Sequence, residues 1–179
     1  ITYIPGLYKI FDEVLVNSID QHIRMHEFLS LTKEQLERAP NKPSCIGAVK
    51  NIRVTINKDE ISVENDGPGI DVTIHPDHNV YVPQLIFCEL LTGTNYAVNE
   101  KRIVGGKNGY GAKLCNIFST EFIIETVDAN LKKYYKQICR NNMTEINPPE
   151  IKPYANKPFT RITFKPDIGR FDLPEGIPD

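Results

Sequence analysis

Gly105-Gly106-Lys107-Asn108-Gly109-Tyr110-Gly111-Ala112-Lys113 carries the chain from a long polar segment, Thr92 to Gly109, into a helical pattern from about Tyr110 to Phe118. Gly106, Gly109 and Gly111 let the backbone run close to a triphosphate. A helix that starts near Tyr110 aims its free N–H groups and the positive end of its dipole at the same place. Lys107 and Lys113 add charge. The spacing is not that of a P-loop, since no Ser or Thr follows Lys113 and no strand directly precedes the glycines. Nor is it a dinucleotide fingerprint, because the glycines run GxxGxG after a polar loop. Alone, such a loop is as often a flexible connection as a phosphate cradle.

Two further stretches give it company. Pro5-Gly6 opens a helical pattern from about Leu7 to Phe28, with Leu7, Ile10, Phe11, Val14 and Leu15 on one apolar stripe. Glu13, Asn17 and Asp20 fall within about 60° of one another beside that stripe. A carboxylate there could orient the water that attacks a γ-phosphate. Asn17, one turn on, offers a neutral oxygen suited to magnesium, which keeps several waters and few protein ligands. The plain alternative is a solvated helix edge. Asn65-Asp66-Gly67-Pro68-Gly69 follows a strand pattern. The Asp66 carboxylate could accept a hydrogen bond from an adenine amino group, with Gly67 and Gly69 letting the ring lie against the main chain. A strand-ending turn is the competing reading.

The remaining pattern sets the fold class. Ser30 to Ala39 predicts a short helix with a capping box at Thr32 and Gln35, and Pro40 to Gly47 a loop. Ile52–Ile56 and Ile61–Val63 alternate as strands about a polar turn, and Asp71 to Asn79 reads as a surface loop. Pro83 to Leu91 predicts a buried helix with proline in its first turn. Phe122–Val127 and Tyr134–Ile138 should pair about Asp128-Ala129-Asn130. Asn141 to Pro158 is proline-bearing and reads as irregular; Phe159–Phe164 returns as a strand. Helices followed by antiparallel strands imply an α+β two-layer sandwich with the helices on one face of the sheet.

Bulk properties narrow the partners. The 179 residues suit a single domain, 40% hydrophobic and 25% charged. A net charge of -2 supplies no general attraction to nucleic acid or anionic lipid. Four cysteines without a CxxC pair argue for reduced thiols rather than zinc or a disulfide framework. His22 and His26 share a helix face but lack a third ligand at metal spacing. No stretch reaches the roughly 18 apolar residues of a membrane span. The chain starts without methionine and stops at Pro178-Asp179, so it is expected to be a piece of a longer protein.

Glu13-x-x-x-Asn17, Asn65-Asp66-Gly67-x-Gly69 and Gly106-x-x-Gly109-x-Gly111 together resemble the three boxes of the GHKL ATPase superfamily. Longer strings narrow the resemblance: Pro5 through Glu13, Tyr81 through Phe87, Gly105 through Thr120, and Phe164-Lys165-Pro166-Asp167 are similar to the ATPase domain of eukaryotic-type DNA topoisomerase II. The resemblance implies a mostly antiparallel mixed sheet in the GHKL fold, with residues 1–179 as one N-terminal ATPase domain and the transducer and DNA-cleavage regions absent. It implies ATP and Mg2+ as ligands, with Glu13 as general base and Asn17 on the magnesium and the nucleotide. Asp66 takes the adenine amino group, helped by Thr160 through water, and Asn65 lines the same wall. Gly93, Thr94 and Asn95 match a nucleotide-contacting loop. Gly106, Lys107, Asn108, Gly109, Tyr110, Gly111, Ala112 and Lys113 wrap the phosphates as the lid. In the full-length enzyme it implies a homodimer that closes on ATP and passes one DNA duplex through another, in the nucleus, with no membrane partner. The alternative is an ATP-dependent dimerisation switch of another GHKL protein, a chaperone or repair ATPase, with little turnover in isolation. The chain departs from the pattern at Ser18-Ile19 and Gln21, in a longer link from His22 to Val49, and in lacking the Gln-Thr-Lys lysine finger.

Overall fold

The computed structural model describes residues 3–40, 42–90, 110–173 and 176–177. Pro5 stands in the first turn of α1 (Pro5–Ser30), where its missing N–H costs nothing. Leu7, Ile10, Val14, Ser18, Met25 and Phe28 fall on its buried side, while Phe11 and Leu15 pack partly against the core. The expected stripe thus runs the length of the helix. α2 (Lys33–Arg38) begins at a reciprocal capping box, in which Thr32 Oγ1 accepts from the Gln35 N–H at 3.3 Å and Gln35 Oε1 accepts from the Thr32 N–H at 2.9 Å. It buries no residue, so its caps rather than packing hold it.

The strands are β1 (Ile52–Ile56), β2 (Ile61–Asp66), β3 (Ser119–Asp128), β4 (Lys133–Arg140), β5 (Glu145–Ile146), β6 (Glu150–Pro153) and β7 (Phe159–Pro166). They form one sheet in the order β1-β2-β7-β3-β4-β5, with β6 also on β4, and every described pairing is antiparallel. The last strand in sequence therefore lies at the centre, between β2 and β3. Two expectations shift here. Asn141 to Pro158 is not wholly irregular: it supplies β5 and β6, edge strands on which Pro153 is tolerated because no inner ladder needs its N–H. α3 (Val82–Phe87) is shorter than Pro83 to Leu91, closing where the Cys88 N–H meets the Gln84 carbonyl.

Register separates the two faces. Val63, Ile162, Ile124 and Gln137 stand in one row across four strands, with Ile61, Phe164, Phe122 and Cys139 in the next. These residues are buried under α1, α3 and α4 (Gly111–Ile117). Each large apolar side chain so covered contributes roughly 1.5–3 kcal/mol. The opposite face carries Glu64, Arg161, Glu125 and Lys136 in one row. α1 and α4 touch each other above the sheet, and α1 also touches β2. That contact brings sequence-distant boxes together. No helix among the described residues is long and apolar enough to cross a membrane.

Candidate functional site

Glu13 leaves the polar flank of α1 and meets the first turn of α4. A Cβ added to Gly111 would lie 1.7 Å from Glu13 Oε2, so the carboxylate rests directly on the glycine backbone. No other residue fits there without displacing the acid. Glu13 Oε1 is 2.6 Å from Lys9 Nζ, one turn earlier on the same helix. Lys9 is raised above the ordinary lysine value by its hydrogen bond to Glu13. Asn17, one turn further along, lines a cavity of about 460 Å³ together with Gly111 and Ala112 of α4 and Asn65, Thr160 and Ile162 of the sheet. That volume is within the range of small-molecule sites.

The cavity floor is a polar row. Asn65, on β2, is 4% exposed and stands opposite Thr160 of β7, which in turn stands opposite Thr126 of β3. Thr160 Oγ1 and Thr126 Oγ1 are 2.9 Å apart. Thr126 Oγ1 accepts from the Ile70 N–H at 3.0 Å, and Asp128 Oδ2 accepts from the Val72 N–H at 2.8 Å. These bonds pin the chain leaving β2 against β3. The approach demands glycine at position 69, whose φ is +74° and whose added Cβ would fall 2.0 Å from the Val127 carbonyl oxygen. Gly69 and Ile70 thereby become cavity wall.

Asp66 sits apart from this row. It is not among the residues lining the cavity. β2 runs on through Asp66, and successive strand residues face opposite sides, so Asn65 points under the helices and Asp66 points away. Asp66 Oδ1 accepts from the backbone N–H groups of Lys50 at 2.6 Å and Asn51 at 3.0 Å, and Oδ2 accepts from Asn51 Nδ2 at 2.7 Å. Burial works against its charge, but the bonds from Asn51 and Lys50 outweigh that and hold the carboxyl below the ordinary aspartate value. Its acceptors are occupied in joining β2 to the segment before β1. Asn65 Nδ2 donates to the Asp66 carbonyl at 2.8 Å, which leaves Asn65 Oδ1 as the acceptor at the floor. The signal was in the alternation Ile61, Val63, Asn65, an inward series that excludes Asp66.

Lys113 stands on α4 two residues after Gly111, and is 4% exposed. Burial lowers its pKa, against which the charge of Glu89 acts. Tyr110 is the N-cap of α4, and its carbonyl accepts from the Leu114 N–H. Gly93, Thr94, Asn95, Gly106, Lys107, Asn108 and Gly109 lie outside the described residues. Asp20 is a wall residue that motif matching passed over. Its Oδ2 is buried with no hydrogen-bond partner among the described residues, and burial raises its pKa. The long link from His22 to Val49 reaches the same cavity through Lys42, Pro43 and Cys45, while His22 Nδ1 donates to the Val49 carbonyl at 2.7 Å.

Comparison with known proteins places this geometry. No family model matches the chain. DNA topoisomerase 2 of Saccharomyces cerevisiae is 47% identical over 178 residues, 98% of this chain but 11% of the yeast protein. The Plasmodium falciparum and Acanthamoeba polyphaga mimivirus DNA topoisomerases 2 are each 46% identical, over 98% and 97% of this chain and 12% of their own lengths. The chain thus spans about a tenth of the relatives it matches. Among solved structures, the ATPase region of S. cerevisiae topoisomerase II superposes with a TM-score of 0.76 at 44% identity, covering 100% of this chain and 43% of that one. The fold alone extends to the Thermus thermophilus gyrase B ATPase domain, at a TM-score of 0.67 and 22% identity over 98% of this chain and 37% of that one. Over its whole length, then, the chain belongs with the ATPase region of eukaryotic-type DNA topoisomerase II, in the GHKL fold.

Proposed function

We propose that this chain binds ATP in the cavity between α1, α4 and the sheet, and hydrolyses it as the ATPase part of a type IIA DNA topoisomerase. The observation that carries the reading is the Glu13 carboxylate seated on Gly111, where an acid from the first helix meets the start of the helix that follows the glycine run. The adenine amino group is assigned to Asn65 Oδ1, with Thr160 beside it, in place of Asp66. An oxygen acceptor at that point prefers the amino group of adenine to the keto oxygen of guanine. The phosphates extend toward Gly111 and Ala112 at the start of α4.

Glu13 receives a proton from the attacking water, and Lys9 keeps the carboxylate aimed. Asn17 fits magnesium by chemistry and place, being a neutral oxygen donor on the cavity wall one turn from Glu13. The ion would supply charge neutralisation on the phosphate oxygens. Residues 1–179 act as one ATPase domain in this reading. The transducer, its lysine finger and the DNA-cleaving parts belong to other stretches of the enzyme. Homodimer closure, transport of a DNA duplex and nuclear residence are properties we assign to that whole enzyme. The match to topoisomerases 2 over nearly the entire chain favours this over a chaperone or repair ATPase.

ATP turnover with Glu13→Ala tests the assignment. Losing a positioned base costs about 10²–10⁴-fold in rate, so turnover should fall by that much while a non-hydrolysable ATP analogue still binds. Equal turnover in the variant removes Glu13 from the reaction.

A further inference from the structure

Cys88 caps the C-terminal end of α3, and Cys139 stands on β4 in the row facing the helices. They are 51 residues apart in sequence, yet their sulfur atoms are 2.9 Å apart. Both are buried, at 2% and 0% exposure. Polar neighbours fix them. Asn116 Nδ2 donates to the Phe87 carbonyl at 3.0 Å and lies 3.7 Å from Cys88 Sγ. Gln137 Oε1 accepts from the Tyr135 hydroxyl at 2.6 Å and lies 3.9 Å from Cys88 Sγ. Gln137 Nε2 is held in turn by the Gln84 side chain and the Asn147 carbonyl, each at 3.0 Å. A bonded pair of sulfurs sits at about 2.04 Å, so closure asks for a movement of less than about 1 Å. No step of the nucleotide reading uses either thiol.

The two thiols are not equivalent. The hydrogen bond to Cys139, reinforced by burial, pushes Cys88 far up, so Cys88 keeps its proton. The same bond draws Cys139 down, against the effect of burial. Of the two, Cys139 is the sulfur that gives up its proton more readily.

We propose that Cys88 and Cys139 are a buried dithiol that a hydroperoxide converts into an internal disulfide, tying the end of α3 to β4 beneath α4. The Cys139 thiolate attacks one peroxide oxygen. An S–O bond forms and the O–O bond breaks; the other oxygen takes up the proton that Cys139 released on ionising and leaves as alcohol or water, giving a sulfenic acid. Cys88 then gives up its proton and its sulfur attacks the Cys139 sulfur; the S–O bond breaks and water departs. Two thiols have lost two electrons, and the peroxide has taken them. In a reducing compartment such a bond is transient and reversible, the usual form of intracellular disulfides.

The test is hydrogen peroxide treatment of the folded 179-residue chain, followed by alkylation, intact mass and peptide mapping. The expected product is lighter by two hydrogen atoms, has lost two of its four alkylatable thiols, and yields one cross-linked peptide joining Cys88 to Cys139. Dithiothreitol restores it. Cys139→Ser removes the cross-link, and Cys45→Ser leaves it intact. Should the variants misfold, the wild-type map decides alone. Oxidation confined to Cys45, the half-buried thiol, or a cross-link from Cys88 to Cys115, overturns the proposal.

Discussion

The two faces of this sheet carry polar residues to opposite ends. On the outer face Arg161 lies between Glu64 and Glu125, its Nε 2.8 Å from Glu64 Oε2 and its Nη1 3.3 Å from Glu125 Oε2. Arg53 adds a bond to Glu64 at 2.9 Å, and the Tyr134 hydroxyl donates to Glu125 at 2.6 Å. Both carboxylates and both guanidinium groups are thus paired, and they form a brace. On the inner face Asn65 and Thr160 stand in a mainly apolar surface and open onto the cavity, where one Asp20 oxygen has no hydrogen-bond partner among the described residues. Unspent hydrogen-bonding capacity in a buried place costs about 1–3 kcal/mol per group, so a fold that keeps it must recover the cost when a ligand arrives. Saturation marks the structural face, and its lack marks the working one.

The most severe way to break the contrast is Gly111→Ala. The new methyl would occupy the position of the Glu13 carboxylate, and displacing a catalytic group by about 1 Å costs on the order of 10²-fold. Steady-state ATP turnover should fall at least that far, with the circular dichroism spectrum unchanged.

Asn65 and Asp66 give a sharper contrast, because they are neighbours on opposite faces. Asn65→Leu should weaken nucleotide binding by about 10-fold or more, the loss of one buried hydrogen bond of 1–2 kcal/mol. Asp66→Asn should leave affinity within about 2-fold and lower stability by about 1 kcal/mol. Calorimetric titration with an ATP analogue separates them, and the reverse ranking would return the adenine contact to Asp66.

Arg161→Met probes the brace. It leaves Glu64 and Glu125 facing each other, but the side chain is 38% exposed, so solvent screens the repulsion. A loss of about 1 kcal/mol in urea denaturation is expected, with nucleotide affinity unaltered.

The smallest effect is in acid. Asp66 has a depressed folded-state pKa, so its contribution to stability is complete above the ordinary carboxylate range near about 4 and fades as pH falls below that range. Asp20 has the opposite sign: its raised pKa means that its charged form is the burden, relieved as pH falls. Asp66→Asn should therefore flatten the acid limb of a melting-temperature profile, whereas Asp20→Asn should raise the melting temperature near neutral pH.

Periodicity alone was enough for α1, since Leu7, Ile10 and Val14 recur at the helical spacing, and for the paired strands about Asp128-Ala129-Asn130. Short-range chemistry was enough for the capping box at Thr32. It was not enough for Asn65 and Asp66, where the motif names both residues and only the parity of a strand running through them says which one faces inward. Lys113 shows a similar limit: charge beside a glycine run suggests phosphate, and only the fold shows that its side chain is buried and feels the charge of Glu89. Nor could spacing reveal that Cys88 and Cys139 meet.

What the amino-acid order by itself determined is therefore local and periodic: which stretches are helix or strand, which side of each is apolar, and where glycine permits close approach. Only the tertiary structure decided which of those sides share a cavity, because β7, last in sequence, inserts at the sheet centre and α1 reaches across to α4. Contacts of that kind depend on sheet order and strand parity, which no window of neighbouring residues encodes.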